Sequence, residues 1–298
     1  METIHELWSK IPSAPMYRQH QWSEKDLDKK IPFLQLSATF GVIIFLLERY
    51  LDSRQLSRYR NKDAKVPDKR IPEDKFRKSL VYGRDRLSFG MFSSSVNLIM
   101  SVALLFLGWL PYAWDLSTVA CEKIHLVNPQ TSGLFRECAV TSVFVLILTL
   151  QSTLFEIPFS LYSAFVIEEK HGFNKQTLQL FFADIFKTLI LTFVIGSPVV
   201  SGIVSLARLG GPHYYVYVWA FLFCFQLFLM TVYPEWIAPL FNKFSPLDPE
   251  THGDLKKEIE ALATRVNFPL TKLFVVDGSI RSGHSNAYVS ISTMILAY

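Results

Sequence analysis

Seven histidines are scattered along the chain, at His5, His20, His125, His171, His213, His252 and His284, and no two of them stand four residues apart. A hydrolytic zinc helix needs that spacing, because residues i and i+4 share one face, and it needs a glutamate between them as base. No HExxH occurs in the 298 residues. The segment HELWS begins correctly at His5-Glu6 but has Ser9 where the second imidazole belongs. The sequence therefore predicts neither a metal ligand set nor a catalytic residue. Two other polar segments carry groups able to donate or accept hydrogen bonds. One is EEKHGF, with Glu168, Glu169 and His171; locally it also reads as a helix end with Gly172 as a left-handed cap. The other is His284-Ser285-Asn286-Ala287-Tyr288, which locally reads as a polar turn before a strand. Glu156, Asp184 and Lys187 are ionisable groups inside apolar runs, where charge is costly. Asp184 and Lys187 are three apart and are expected to pair across one turn.

The elements that must position these groups are mostly membrane helices. Half the residues are hydrophobic and 14% are aromatic. A bilayer core needs about 20 residues of helix, and five apolar runs meet or approach that: Ile31–Leu47, Leu87–Trp114, Cys138–Ile167, Thr177–Ala207 and Leu209–Pro234. Trp109, Tyr112 and Trp114 read as an aromatic end to the second run, as Tyr233 and Trp236 do for the fifth. Pro158, Pro198 and Pro234 should kink their helices. The first 30 residues mix acids and bases and lack the apolar core of a cleavable leader. They are expected to form a lumenal tail, followed by a five-helix membrane domain over 31–241. Residues 52–86 hold twelve Lys/Arg against six acids and read as a basic cytosolic loop. That basic excess fits topology and attraction to membrane lipid, not nucleic-acid binding.

Residues 242–298 turn soluble in character. Leu255, Ile259, Leu262 and Val266 fall on one helical face and predict its buried side. Pro269 should end that helix. Leu273–Asp277 reads as a strand and Ala287–Ile291 as a possible second, whereas Thr293–Tyr298 adds little. A single bond between Cys121 and Cys138 is conceivable, but three cysteines make no disulfide framework.

EEKHGF, the run YPEWIAPLFNKFSPL at Tyr233–Leu247, and LFVVDGSIRSGHSNAY at Leu273–Tyr288 occur in the order found in the CAAX prenyl proteases, which the chain resembles. The resemblance implies a fold class: an all-α multi-pass membrane protein with five transmembrane helices of a seven-helix fold, followed by the start of a cytosolic α/β metalloprotease domain. It implies an endoplasmic reticulum membrane location with the C-terminus cytosolic. It also implies farnesylated CAAX protein C-termini as partners, whose terminal tripeptide the family removes with zinc. His284 to Tyr288 would then contact substrate along an edge strand, and Glu168, Glu169 and His171 would line the reaction chamber. The HExxH helix, the later glutamate ligand and the last two spans of the family pattern have no counterpart here, and VSISTMILAY departs from it. The chain therefore reads as a truncated member, binding no zinc and inactive alone. The alternative reading is a non-catalytic membrane protein that holds prenylated peptides or a full-length paralogue. Oligomeric state and the individual substrates are not legible.

Overall fold

The computed structural model describes residues 33–61, 65–66, 70–128, 133–247, 249–270, 273–284, 286–290 and 293–297. The expected lumenal tail, with His5 and His20, lies outside them, as does Ser285. Two compact units divide between Ser163 and Ala164.

The first unit is built from two helical hairpins. Helix α1 (Phe33–Arg60) runs antiparallel to α2 (Glu73–Phe106). Their helices continue well into residues 52–86, so that segment is largely an extension of the hairpin and not a loop. Two contacts set the pairing. Arg49 of α1 donates to the Met91 carbonyl and to the hydroxyls of Ser94 (3.1 Å) and Ser95 (2.6 Å). Further along, the Tyr59 ring lies over Gly83, where a Cβ would come within 2.8 Å of it.

Gly108, at φ 69°, ends α2, and a separate helix α3 (Trp109–Lys123) starts at once. The second run was expected to continue through Trp114. The structure corrects this: glycine takes the left-handed conformation freely, so the chain turns there and re-forms a helix. α3 packs on α4 (Leu134–Tyr162) through Ala113, Ser117 and Cys121, all fully buried at helical spacing. Cys121, Val127 and Val140 form the core of this hairpin. Trp114 meets Phe144 edge-on, and Arg136 pairs with Glu122 at 3.2 Å. No disulfide joins Cys121 to Cys138. Burial pushes the Cys121 thiol above its ordinary range; Arg136 opposes that shift and Glu122 adds to it.

α4 ends in a π-helical turn, Ser163–Glu168. In the second unit follow α5 (Leu178–Leu209), a 3-10 turn at Gly211–His213, α6 (Tyr214–Val232), a second π-helical turn at Tyr233–Ile237 and the short α7 (Ala238–Phe241). Thr177 caps α5 by accepting from the Leu180 amide at 3.2 Å. Pro158 and Pro198 sit inside α4 and α5, and Pro234 sits in the second π turn, where its missing N–H breaks the α-helical ladder.

Among the described residues four helices are long and apolar enough to cross a membrane: Glu73–Phe106, Leu134–Glu168, Leu178–Leu209 and Gly211–Leu240. The chain is a multi-pass membrane protein. α1 is not among the four; its apolar run stops at Glu48 and Arg49.

A small α/β element closes the second unit. Strands β1 (Phe244–Pro246), β2 (Leu273–Val276), β3 (Asn286–Ser290) and β4 (Thr293–Ala297) form one sheet in the order β1-β2-β4-β3. β1 is antiparallel to β2, β4 parallel to β2, and β3 antiparallel to β4. Thr293–Ala297, expected to add little, is thus an interior strand. Helix α8 (Pro249–Arg265) connects β1 to β2. It ends as Pro269 foretold, with Asn267 left-handed and the Phe268 amide reaching back to the Ala263 carbonyl at 2.8 Å. Its inward face is rotated from the expected one: Ala263 is buried and Ile259 half-buried, whereas Leu255, Leu262 and Val266 are exposed.

Candidate functional site

Three segments far apart in sequence meet within the second unit. The first is the loop after the π turn. The Glu168 carbonyl accepts from the amides of Phe173 (2.9 Å) and Asn174 (3.3 Å), with Gly172 left-handed at φ 75°, as its residue type led one to expect. Asn174 then folds its own side chain into the turn. Its Oδ1 accepts from the Gln176 amide at 3.0 Å, and its Nδ2 donates to Glu169 at 3.0 Å.

The second segment is the turn after β2. Gly283 donates its amide to the Phe173 carbonyl at 2.7 Å, and Lys175 donates to the Arg281 carbonyl at 3.2 Å. These flank an antiparallel bridge between Asn174 and Ser282. His284 stacks on Phe173, with ring centroids 4.1 Å apart, and its Nε2 lies 3.2 Å from Glu168 Oε2. A carboxylate beside one ring nitrogen fixes the imidazole's orientation. The His284 side chain remains 44% exposed.

The third segment follows α7. Arg281 donates through Nε and Nη2 to both oxygens of Asp184, at 2.8 and 3.0 Å, and through Nη1 to Asn242 Oδ1 at 2.9 Å. Asp184 and Arg281 are 18% and 20% exposed, sheltered enough for a two-pronged ion pair to count. The expected Asp184–Lys187 pair is not formed. Lys187 instead donates to the Leu240 carbonyl at 3.1 Å. A guanidinium matches both carboxylate oxygens at once, whereas an ammonium on the next turn offers a single point of charge. Glu156 joins none of these groups; its backbone carbonyl accepts from Ser160.

Of the residues expected to matter, Glu168 and His284 are thus brought together. Glu169 turns to Asn174, and His171 lies on the helix cap, where its amide bonds the Ile167 carbonyl. Asn286, Ala287 and Tyr288 lie in β3, the edge strand, opposite Ala297, Leu296 and Ile295. Arg281, Asn242 and Phe173 were missed. The signal for Arg281 was indirect: an aspartate within an apolar run demands a cation, and the nearest one in sequence was the wrong one.

No group of three or more His, Cys, Asp or Glu side chains gathers among the described residues. Glu168 and His284 are two donors already engaged with each other. A zinc ion takes three or four protein ligands, more than these two residues supply.

Residues 55–243 match the family model described as the CAAX prenyl protease N-terminal region with five membrane helices. The chain belongs to the CAAX prenyl protease family. It is 42% identical to a CAAX prenyl protease 1 homolog of Arabidopsis thaliana over 87% of its length and 59% of that protein's. It is 40% identical to the Homo sapiens homolog over 84% of its own length and 51% of that protein's. The crystal structure of S. mikatae Ste24p superposes with a TM-score of 0.78 at 36% identity, covering 90% of this chain and 62% of that one. The chain thus spans between about half and three-fifths of the length of these relatives.

Proposed function

We propose that this chain forms the substrate-facing part of a membrane CAAX protease. In this reading α1, α2, α4, α5 and α6 are the five membrane helices, and residues 242–298 begin the cytosolic peptidase domain. The N-terminus is lumenal and the membrane is that of the endoplasmic reticulum. A farnesylated CAAX C-terminus pairs as an extended peptide with the open edge of β3, whose unpaired backbone groups accept a further strand. Glu168 and His284 stand beside it at the mouth between helix and sheet, with Glu169 and His171 on the adjoining loop. The observation that carries the reading is the docking of the Arg281–His284 turn on the Phe173–Lys175 loop, which sets the start of β3 beside the end of the π-helical turn.

Removal of the terminal tripeptide needs the zinc and glutamate base of an HExxH helix, and these 298 residues contain no such motif. On their own they are expected to bind a prenylated tail and leave it whole. A farnesylated CAAX peptide with a photoreactive residue upstream of its cysteine tests this. Labelling at positions 282–288, competed by unlabelled farnesylated peptide, is the expected result. Equal labelling by the unprenylated peptide would sink the reading. Turnover that a chelator abolishes would sink its second half.

A second reading is a protein that holds prenylated peptides, or a full-length relative, without cutting them. Co-purification with such a relative, together with a change in its turnover, separates it from the first.

A further inference from the structure

The two helices of the first hairpin stay packed beyond their apolar runs, and this brings four arginines to one level. Arg49 meets Met91, Ser94 and Ser95, and Tyr59 lies on Gly83. Between these two fixed points the antiparallel register sets Arg58 beside Arg84, with Arg54 and Arg86 within about one helical turn of them, roughly 6 Å along the axis. All four side chains are exposed. The apolar run of α2 begins at Leu87, directly below this band. The band therefore sits where the hydrocarbon ends and the headgroups begin.

The local partners leave part of its charge uncompensated. Arg84 pairs with Asp85 at 3.3 Å. Arg54 lies over the Tyr50 ring, 5.7 Å from its centroid. Arg86 lies over Tyr82 at 6.0 Å and donates to its hydroxyl at 3.2 Å. Tyrosines at this depth favour the headgroup layer, and they hold the flat guanidinium groups without neutralising them. Among the described residues two carboxylates, Asp52 and Asp85, thus stand at this level against four guanidinium groups.

We propose that this band is a binding site for the phosphate of an acidic phospholipid. Guanidinium groups match phosphate oxygens through paired N–H donors, and a cluster within one turn suits a headgroup with more than one negative charge. The inference rests on the membrane hairpin alone and is independent of any role in proteolysis.

The detergent-solubilised chain, titrated with phosphatidic acid and separately with phosphatidylcholine, tests it by native mass spectrometry. Phosphatidic acid is expected to be retained at low ratios and to raise the unfolding temperature; phosphatidylcholine is expected to do neither. The variant R54Q/R58Q/R84Q/R86Q should weaken that retention by roughly tenfold or more. Unchanged retention overturns the proposal, as does equal retention of phosphatidylcholine. Displacement of the lipid by inorganic phosphate or by poly-glutamate at matched charge also overturns it, since the ligand would then be a soluble anion or an acidic protein. If the fourfold variant does not fold, the lysine set R54K/R58K/R84K/R86K keeps the charge. It should bind several-fold more weakly because the paired donors are lost, and undiminished binding by it overturns the assignment to phosphate.

Discussion

Arg281 grips both carboxylate oxygens of Asp184 across 97 residues of chain, fastening the turn after β2 to the first third of a membrane helix. Removing the guanidinium leaves a sheltered carboxylate without its cation. Arg281→Ala is expected to lower stability by about 2 kcal/mol, the range for hydrogen bonds to charged groups. Asp184→Asn should cost a similar amount, and the double variant should cost less than the two together. Thermal unfolding in detergent measures all three. Strict additivity would mean that the pair contributes nothing of its own.

Gly210 and Gly41 should respond in opposite ways to alanine. A Cβ on Gly210 would sit 2.5 Å from the Leu206 carbonyl oxygen and 2.8 Å from the Tyr214 Cα, which are backbone atoms that cannot swing aside. Gly210→Ala is therefore expected to destabilise by about 1–3 kcal/mol. Gly41, inside α1, has nothing within 4 Å of that position. Gly41→Ala should be neutral or stabilise by up to about 1 kcal/mol through helix propensity. Parallel melting curves of the two variants give the answer, and a reversed order would contradict the packing at the α5–α6 turn.

Much of the helical layout was legible. Gly172 as a left-handed cap, Thr177 at the start of α5 and Pro269 past the end of α8 are local signals and were readable as such. α3 was not. Its buried face is Ala113, Ser117 and Cys121, small residues that barely register in a hydropathy pattern, while Asp115, Thr118 and Glu122 give it the look of a loop. β4 was lost for a different reason. A threonine and four apolar residues specify neither strand nor helix until a neighbour is known, and its neighbour β2 lies across a turn and another strand. The site shows the same limit: Glu168 and His284 were named separately, but no spacing in the chain says that they meet.

Arg49 closes the first hairpin from the side of α1. Its loss leaves the Ser94 and Ser95 hydroxyls still donating to the Met91 carbonyl, at 3.2 and 2.7 Å, so no serine is stranded. Arg49→Ala is accordingly expected to cost only about 1–2 kcal/mol, with part of it recovered by lysine. A cysteine cross-link between α1 and α2 that forms faster in the alanine variant would confirm a loosened hairpin. Unaltered kinetics would assign Arg49 no part in the pairing.

Cys121 supplies a pH signature. Its thiol is fully buried and its pKa is raised by that burial, so the folded state holds the proton more tightly than the unfolded chain does. The sign follows from linkage: this contribution is fully present below the ordinary thiol value of 9.0 and is lost as pH rises through the raised value. Cys121→Ser should flatten the fall in stability on the alkaline side. In the native protein a maleimide should label Cys121 far more slowly than in denaturant. Rapid labelling of folded protein at neutral pH would refute the burial.

The π-helical turn at Tyr233–Ile237 works as a rotational offset. Whatever side of α6 faces its surroundings, the turn resets the phase before the chain delivers the Leu240 carbonyl to Lys187 and the Asn242 Oδ1 to Arg281. Deleting one residue there would swing both acceptors by about 100° around the axis. Single-residue deletions should thus be far less tolerated in these five positions than substitutions along the outer surface of α6.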